Sequence, residues 1–110
     1  MITRLKISKS ATALIAARYR EARQHYTPNI MLRNALMFSI ANGDSYSNEE
    51  IDTGGTEFQI ATLLGENTKI FKLLIDQYYQ RKLSDQDYKK ILVYHLEKGL
   101  SHKEFKSVFN

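Results

Sequence analysis

A chain of 110 residues is one domain by size, and the absence of cysteine excludes disulfides, thiolate metal sites, a persulfide carrier and a cysteine nucleophile. Hydrophobic residues at 43% and charged residues at 25% are those of an ordinary folded protein, and no run approaches the roughly 20 apolar residues of a membrane span. The net charge of +4 is unevenly placed: residues 1–33 hold Arg4, Lys6, Lys9, Arg18, Arg20, Arg23 and Arg33 against Glu21 alone (+6), and the remainder carries −2. From Arg33 to Lys69 there is no base but six acids, Asp44, Glu49, Glu50, Asp52, Glu57 and Glu66. Such segregation points to an N-terminal part that meets a polyanion and a middle part held away from it. The plainer alternative is uneven charge on a solvated surface. Met1-Ile2-Thr3-Arg4-Leu5-Lys6 does not read as a signal peptide, so a cytoplasmic location is expected, with no membrane contact.

Thr3, Leu5 and Ile7 alternate with Arg4 and Lys6, which predicts a short, half-buried strand. Ser8 or Ser10 then caps a helix over about Lys9 to Gln24, with Ala11, Leu14, Ile15 and Ala22 as its apolar stripe. Arg18 falls on the line of that stripe, either laying its stem on apolar surface or facing a subunit contact. Thr27-Pro28 starts a second helix: threonine caps it, and proline fits the first turn, where its missing N–H is not needed. Met31, Ala35 and Phe38, with Leu32, Leu36 and Ile40, form its apolar rows, and Asn42-Gly43 stops it.

Residues 44–66 read as an acidic loop region in which Glu57–Leu64 forms a short strand or extended segment. A third helix is expected over about Asn67 to Lys82, burying Ile70, Phe71, Leu74, Ile75 and Tyr78. Ser84-Asp85-Gln86-Asp87 has capping-box spacing for a fourth helix that buries Tyr88, Ile91, Leu92 and His95 before Gly99. Ser101-His102-Lys103-Glu104 repeats the spacing for a short last helix docking Phe105, Val108 and Phe109. The expected fold is mainly α: a ribbon-helix-helix-like part (1–43), the acidic region (44–66) and a helical C-terminal extension (67–110), all in one domain.

In a ribbon-helix-helix unit two subunits pair their first strands, because a lone strand leaves backbone groups and apolar side chains unpartnered. The paired ribbon enters the major groove, and the N-terminus of the second helix holds a phosphate. On this reading Arg4 and Lys6 face the DNA, Thr27 and Asn29 clamp a phosphate, and Lys9, Arg20, Arg23 and Arg33 complete the basic set. No catalytic or metal site is expected. Glu49, Glu50 and Asp52 lack motif spacing for magnesium and read as a solvated loop or a contact for a basic partner. His25, His95 and His102 are too widely spread for a helical metal pair, and His95 reads as a hydrogen-bonded core residue. Tyr78, Tyr79 and Tyr88 suit packing better than base stacking. Lys89-Lys90, with Arg81 and Lys82 nearby, form a second basic cluster that is either solvated or an extension of a DNA track.

Arg4-Leu5-Lys6-Ile7-Ser8-Lys9 and Tyr26-Thr27-Pro28-Asn29-Ile30, with Arg33 and Ala35-Leu36, resemble the N-terminal blocks of the DndE family. Gly55-Thr56-Glu57-Phe58, Thr62-Leu63-Leu64-Gly65-Glu66 and His95-Leu96-Glu97-Lys98-Gly99 resemble its later blocks, so the likeness spans about residues 3–100. The resemblance implies a non-catalytic accessory subunit of a DNA phosphorothioation apparatus. Such a subunit has no cofactor, self-associates as a dimer or tetramer, and binds duplex DNA, including nicked DNA, beside the other subunits. Two departures stand out: His25-Tyr26 replaces the family's usual glycine and leucine, and a cysteine common in the second helix is missing, with Met31-Leu32 in its neighbourhood. The other readings of the same residues are a ribbon-helix-helix transcription regulator and a protein-interaction scaffold that uses the acidic 44–66 segment.

Overall fold

Leu5 and Ile7 are 1% and 0% exposed, whereas Arg4 and Lys6 stand in solvent, and that alternation makes the strand β1 (Arg4–Lys6). The computed structural model describes residues 3–21 and 27–102, with the backbone alone for residues 18–21. The described elements follow in the order β1, α1 (Lys9–Glu21), α2 (Pro28–Ala41), β2 (Glu57–Gln59), α3 (Ile60–Leu64), a 3-10 turn (Gly65–Asn67), α4 (Thr68–Tyr78) and α5 (Asp85–Ser101). The chain is mainly helical, with a single two-stranded sheet among the described residues.

The partner of β1 is not the one the ribbon-helix-helix reading expects. β1 pairs antiparallel with β2 of its own chain, Arg4 opposite Gln59, Leu5 opposite Phe58 and Lys6 opposite Glu57. This ladder gives β1 a partner within its own chain. Gly55 lets the ladder close: a Cβ there would lie 2.3 Å from the carbonyl oxygen of Ser8. Its N–H donates to Ile7 O at 2.8 Å, and the Thr56 N–H donates to the Thr12 hydroxyl at 2.9 Å. The acidic region is correspondingly shorter as a loop, since residues 57–67 carry β2, α3 and the 3-10 turn.

Capping follows the sequence closely. Ser8 Oγ accepts the Ala11 N–H at 3.0 Å, Thr27 Oγ1 the Ile30 N–H at 3.4 Å and Ser84 Oγ the Asp87 N–H at 3.2 Å. Gly43, at φ +83°, takes the left-handed conformation that ends α2 after Asn42. α2 and α5 form the central pair, sharing a core of Met31, Leu32, Ala35 and Leu36 with Ile91, Leu92, Leu96 and Leu100. They approach so closely that a Cβ on Gly99 would come 1.9 Å from the Ala35 carbonyl oxygen. Ser8 joins the far ends of the chain: its N–H and hydroxyl donate to the two oxygens of Glu97 at 2.7 and 2.8 Å.

α4 departs from expectation in length and in orientation. It ends at Tyr78, where Gln80 turns to φ +58° and Asp76 accepts the Leu83 N–H at 3.1 Å, so the helix does not reach Lys82. Of the expected stripe only Ile75 is buried; Phe71 and Tyr78 are half-buried, and Ile70 and Leu74 are 54% and 46% exposed. The helix rests on the molecule along one edge and turns Ile70, Leu73 and Leu74 outward. The expected last helix lies outside the described residues beyond His102. No described helix is long and apolar enough to cross a membrane.

Candidate nucleic-acid interface

The structure divides the sequence-predicted basic set into separate places. Arg4 and Lys6 project from the exposed face of β1, as expected, and Arg4 lies 3.9 Å from Glu57 of the neighbouring strand. Beside them opens a cleft of about 750 Å³, into which Lys89 and Lys90 of α5 also face. The second basic cluster is thus brought to the first by the packing of α5 near β1, a juxtaposition that sequence spacing does not reveal. Arg81 is drawn elsewhere, to Asp87 at 3.5 Å. Acids share the cleft: Glu49, Glu50 and Glu57 lie on its loop and β2 walls.

Lys9 stands exposed at the start of α1, where its N–H donates to Asp52 Oδ2 at 3.1 Å. Hydrogen bonds from Lys9 and Gly54 hold the Asp52 carboxyl below the ordinary range. Thr27 is exposed and Asn29 half-buried at the N-terminus of α2; the cap engages the Ile30 N–H, and Pro28 has none to offer. That end of the helix has the partial positive charge that suits a phosphate. Arg33 is half-buried: its guanidinium lies beside Gly65, after the end of α3, and its Nε is enclosed without a partner among the described residues. Its stem packs, so Arg33 is partly a structural residue. The side chain of Arg20, the whole of Arg23 and the His25-Tyr26 departure lie outside the described residues, as does the side chain of Arg18.

The acidic segment holds no metal cage; no group of three or more candidate ligands converges among the described residues. Glu49 accepts the Ser47 N–H and hydroxyl at 3.0 and 2.7 Å. Behind it lies a polar network built on α2 and α5. His95, 0% exposed, has Nδ1 2.8 Å from Ser39 Oγ and Nε2 2.6 Å from the Tyr79 hydroxyl. Ser39 donates to Asp44 Oδ2 at 2.8 Å, and His102 Nε2 approaches the same oxygen at 2.8 Å. Burial pushes the pKa of His95 down to about 4. Burial also opposes the charge on Asp44, but hydrogen bonds from His102, Asn42 and Ser39 hold its carboxyl below the ordinary range. Although serine, histidine and carboxylate meet here, Ser39 is fully buried and spends its proton on Asp44, so the trio lacks the order of a nucleophile and its base. Tyr78, Tyr79 and Tyr94 pack edge-on or tilted around the His95 ring, with centroids 5.0–5.8 Å away, and Tyr88 is buried with its pKa pushed up to about 12. These tyrosines pack, as expected, and offer no stacking platform for bases.

A family model described as DNA sulphur modification protein DndE matches residues 4–108. The fold is similar to a crystal structure of DndE from Escherichia coli B7A involved in DNA phosphorothioation modification, with a TM-score of 0.75 and 24% identity over 92% of this chain and 96% of that one. It is also similar to the structure of a DndE mutant involved in DNA phosphorothioation, with a TM-score of 0.72 and 23% identity over 92% and 95% of the two chains. No curated protein matches the sequence. The structural likeness establishes the fold, and the family model, spanning nearly the whole chain, establishes the kinship. The chain belongs to the DndE family of DNA sulphur modification proteins.

Proposed function

We propose that this protein is a non-catalytic accessory subunit of DNA phosphorothioate modification in the cytoplasm, gripping duplex DNA by its backbone and presenting it, intact or nicked, to the other subunits. The observation that carries the reading is the placing of Arg4 and Lys6. Both stand exposed on one face of a strand whose other face is locked into the core by Leu5 and Ile7. Cations on a fixed support give up little freedom on meeting phosphates, and their contacts carry no base sequence. Thr27 and Asn29 supply a second phosphate position at the start of α2, and Lys9 a third cation at the start of α1. Self-association as a dimer or tetramer is supported by Ile70, Leu73 and Leu74, which α4 exposes side by side.

The test is fluorescence anisotropy of labelled random-sequence duplex, intact and nicked, titrated with protein at several salt concentrations. Binding that is tolerant of sequence and falls steeply with salt is expected, because phosphates neutralised by Lys and Arg release counterions. Flat anisotropy for every duplex at low salt overturns the reading. A large preference for one palindromic sequence points instead to a transcription regulator.

A further inference from the structure

β1 is satisfied along one edge only. The bonds from Ile7 N–H to Thr56 O and from Ile60 N–H to Thr3 O fix Thr3, Leu5 and Ile7 as the residues whose backbone groups face β2. In an antiparallel ladder the residues between them point the other way, so the N–H and C=O groups of Arg4 and Lys6 lie along the opposite edge. Among the described residues, no backbone or side-chain group bonds to them. Proteins ordinarily cover, bulge or shorten such an edge, because it is a template for another strand. Here the same strand borders the open cleft, whose walls carry Lys89, Lys90 and half-buried Ile51 together with Glu49, Glu50 and Glu57. Ser47 engages Glu49 and Arg4 lies by Glu57, which leaves Lys6, Lys89 and Lys90 facing Glu50 alone among the described acids of the cleft.

We infer that the free edge of β1 is a docking site for an extended segment of another protein, one that alternates acidic and apolar residues and adds to the sheet as a third strand. β2 is the template for the chemistry. Against Lys6 it sets Glu57, against Leu5 it sets Phe58, and Glu57 also reaches Arg4 at 3.9 Å. A strand on the other edge meets the same side chains of β1, and beyond them Lys89 and Lys90. Among the described residues no ion pair engages Lys6, Lys89 or Lys90. The apolar positions of the incoming strand face half-buried Ile51, with Val93 of the core behind it. A second copy of β1 is the poorer occupant, because it sets Arg4 and Lys6 beside their own counterparts, and like charges in adjacent strands repel. The inference does not rest on the DNA reading: the main-chain bonds of the added strand need no phosphate, although its acids would compete with phosphates for Arg4 and Lys6.

The probe is a labelled heptapeptide alternating glutamate and valine, with a lysine–valine twin as control, applied to the full chain. The glutamate peptide is expected to bind at least tenfold more tightly than its twin. In that complex the amides of Arg4 and Lys6 exchange at least tenfold more slowly, while the Leu5 amide, already in the ladder, is unchanged. Lys6→Pro removes the outward N–H without touching the ladder to β2, and Lys6→Ala removes the same charge but keeps the N–H. Lys6→Pro is therefore expected to weaken peptide binding at least tenfold beyond Lys6→Ala. Equal binding of the two peptides, unchanged Arg4 and Lys6 amides, or equal effects of the two variants overturns the inference. So does a dimer that Lys6→Pro abolishes in a chain that takes up no peptide, for the edge then belongs to a second copy. Should Lys6→Pro fail to fold, amide exchange in the natural chain decides alone. Loss of duplex binding with all these results intact sinks the DNA reading and leaves the docking edge standing.

Discussion

Ser39 Oγ lies 2.8 Å from His95 Nδ1, and this contact fixes the proton of a fully buried imidazole. The Asp44 carboxylate can only accept, so the Ser39 hydroxyl donates to it and turns a lone pair to His95. Nδ1 must then carry the hydrogen, leaving Nε2 to accept from Tyr79, whose oxygen in turn accepts the Tyr46 N–H at 3.0 Å. The expected outcome is a neutral Nδ1–H tautomer at pH 7, read from the ring nitrogen shifts by long-range nitrogen–proton NMR. An Nε2–H signal contradicts the network.

The same residue sets a pH dependence. Burial lowers the pKa of His95 to about 4 from an ordinary 6.5, so between those values the unfolded chain binds a proton that the folded chain refuses. Stability is therefore full above pH 6.5 and falls as pH drops toward 4, by about 3 kcal/mol over that window. Urea melts at pH 7.5 and 4.5 measure it. In His95→Gln the decline over this window is expected to shrink, on a lower starting stability.

Gly99 and Gly43 are both glycines in α-helical surroundings but for different reasons. Gly99→Ala drives a methyl into the Ala35 carbonyl and is expected to lower stability by about 2–3 kcal/mol, because two packed backbones have to separate. Gly43→Ala meets no atom within 4 Å and loses only the ease of a positive φ, roughly 1 kcal/mol. Thermal melts of the two variants, side by side, distinguish crowding from backbone conformation.

Lys6 and Arg33 are expected to separate as DNA contacts. Lys6→Ala weakens binding to all duplexes alike and lowers the salt slope by about 1, with the melting temperature unchanged. Arg33→Ala loses stability as well, because its half-buried stem packs. Salt titrations paired with melts check both; a sequence-dependent loss in Lys6→Ala is incompatible with backbone recognition.

Much of this fold was legible because its signals are local. Thr27-Pro28, Ser84 with Asp87, and Asn42-Gly43 mark helix ends through bonds that span only a few residues. The partner of β1 was not legible, since Glu57-Phe58-Gln59 alternates over just three residues and nothing near β1 names it. α4 misled for the opposite reason. Its stripe is strongly amphipathic, but periodicity says only that a face is apolar, and Ile70, Leu73 and Leu74 show that it need not be covered by its own chain. Of the candidate site, the exposure of Arg4 and Lys6 was readable from alternation, whereas the approach of Lys89 and Lys90 depends on where α5 packs.

The two bonds from Ser8 to Glu97 join positions 89 residues apart. During synthesis α1 can form early, but the carboxylate that accepts both Ser8 donors follows 89 residues later, several seconds at about 5–20 residues per second. Until then the basic segment is held only by its ladder to β2 and its bonds to residues 52–60, and the loop that Ser8 and Glu97 close spans 89 residues. A chain cut short before Glu97 would carry Arg4, Lys6 and Lys9 without the carboxylate that anchors Ser8 at the start of α1. The start of α1 thus takes its final anchor only once α5 has been made and docked.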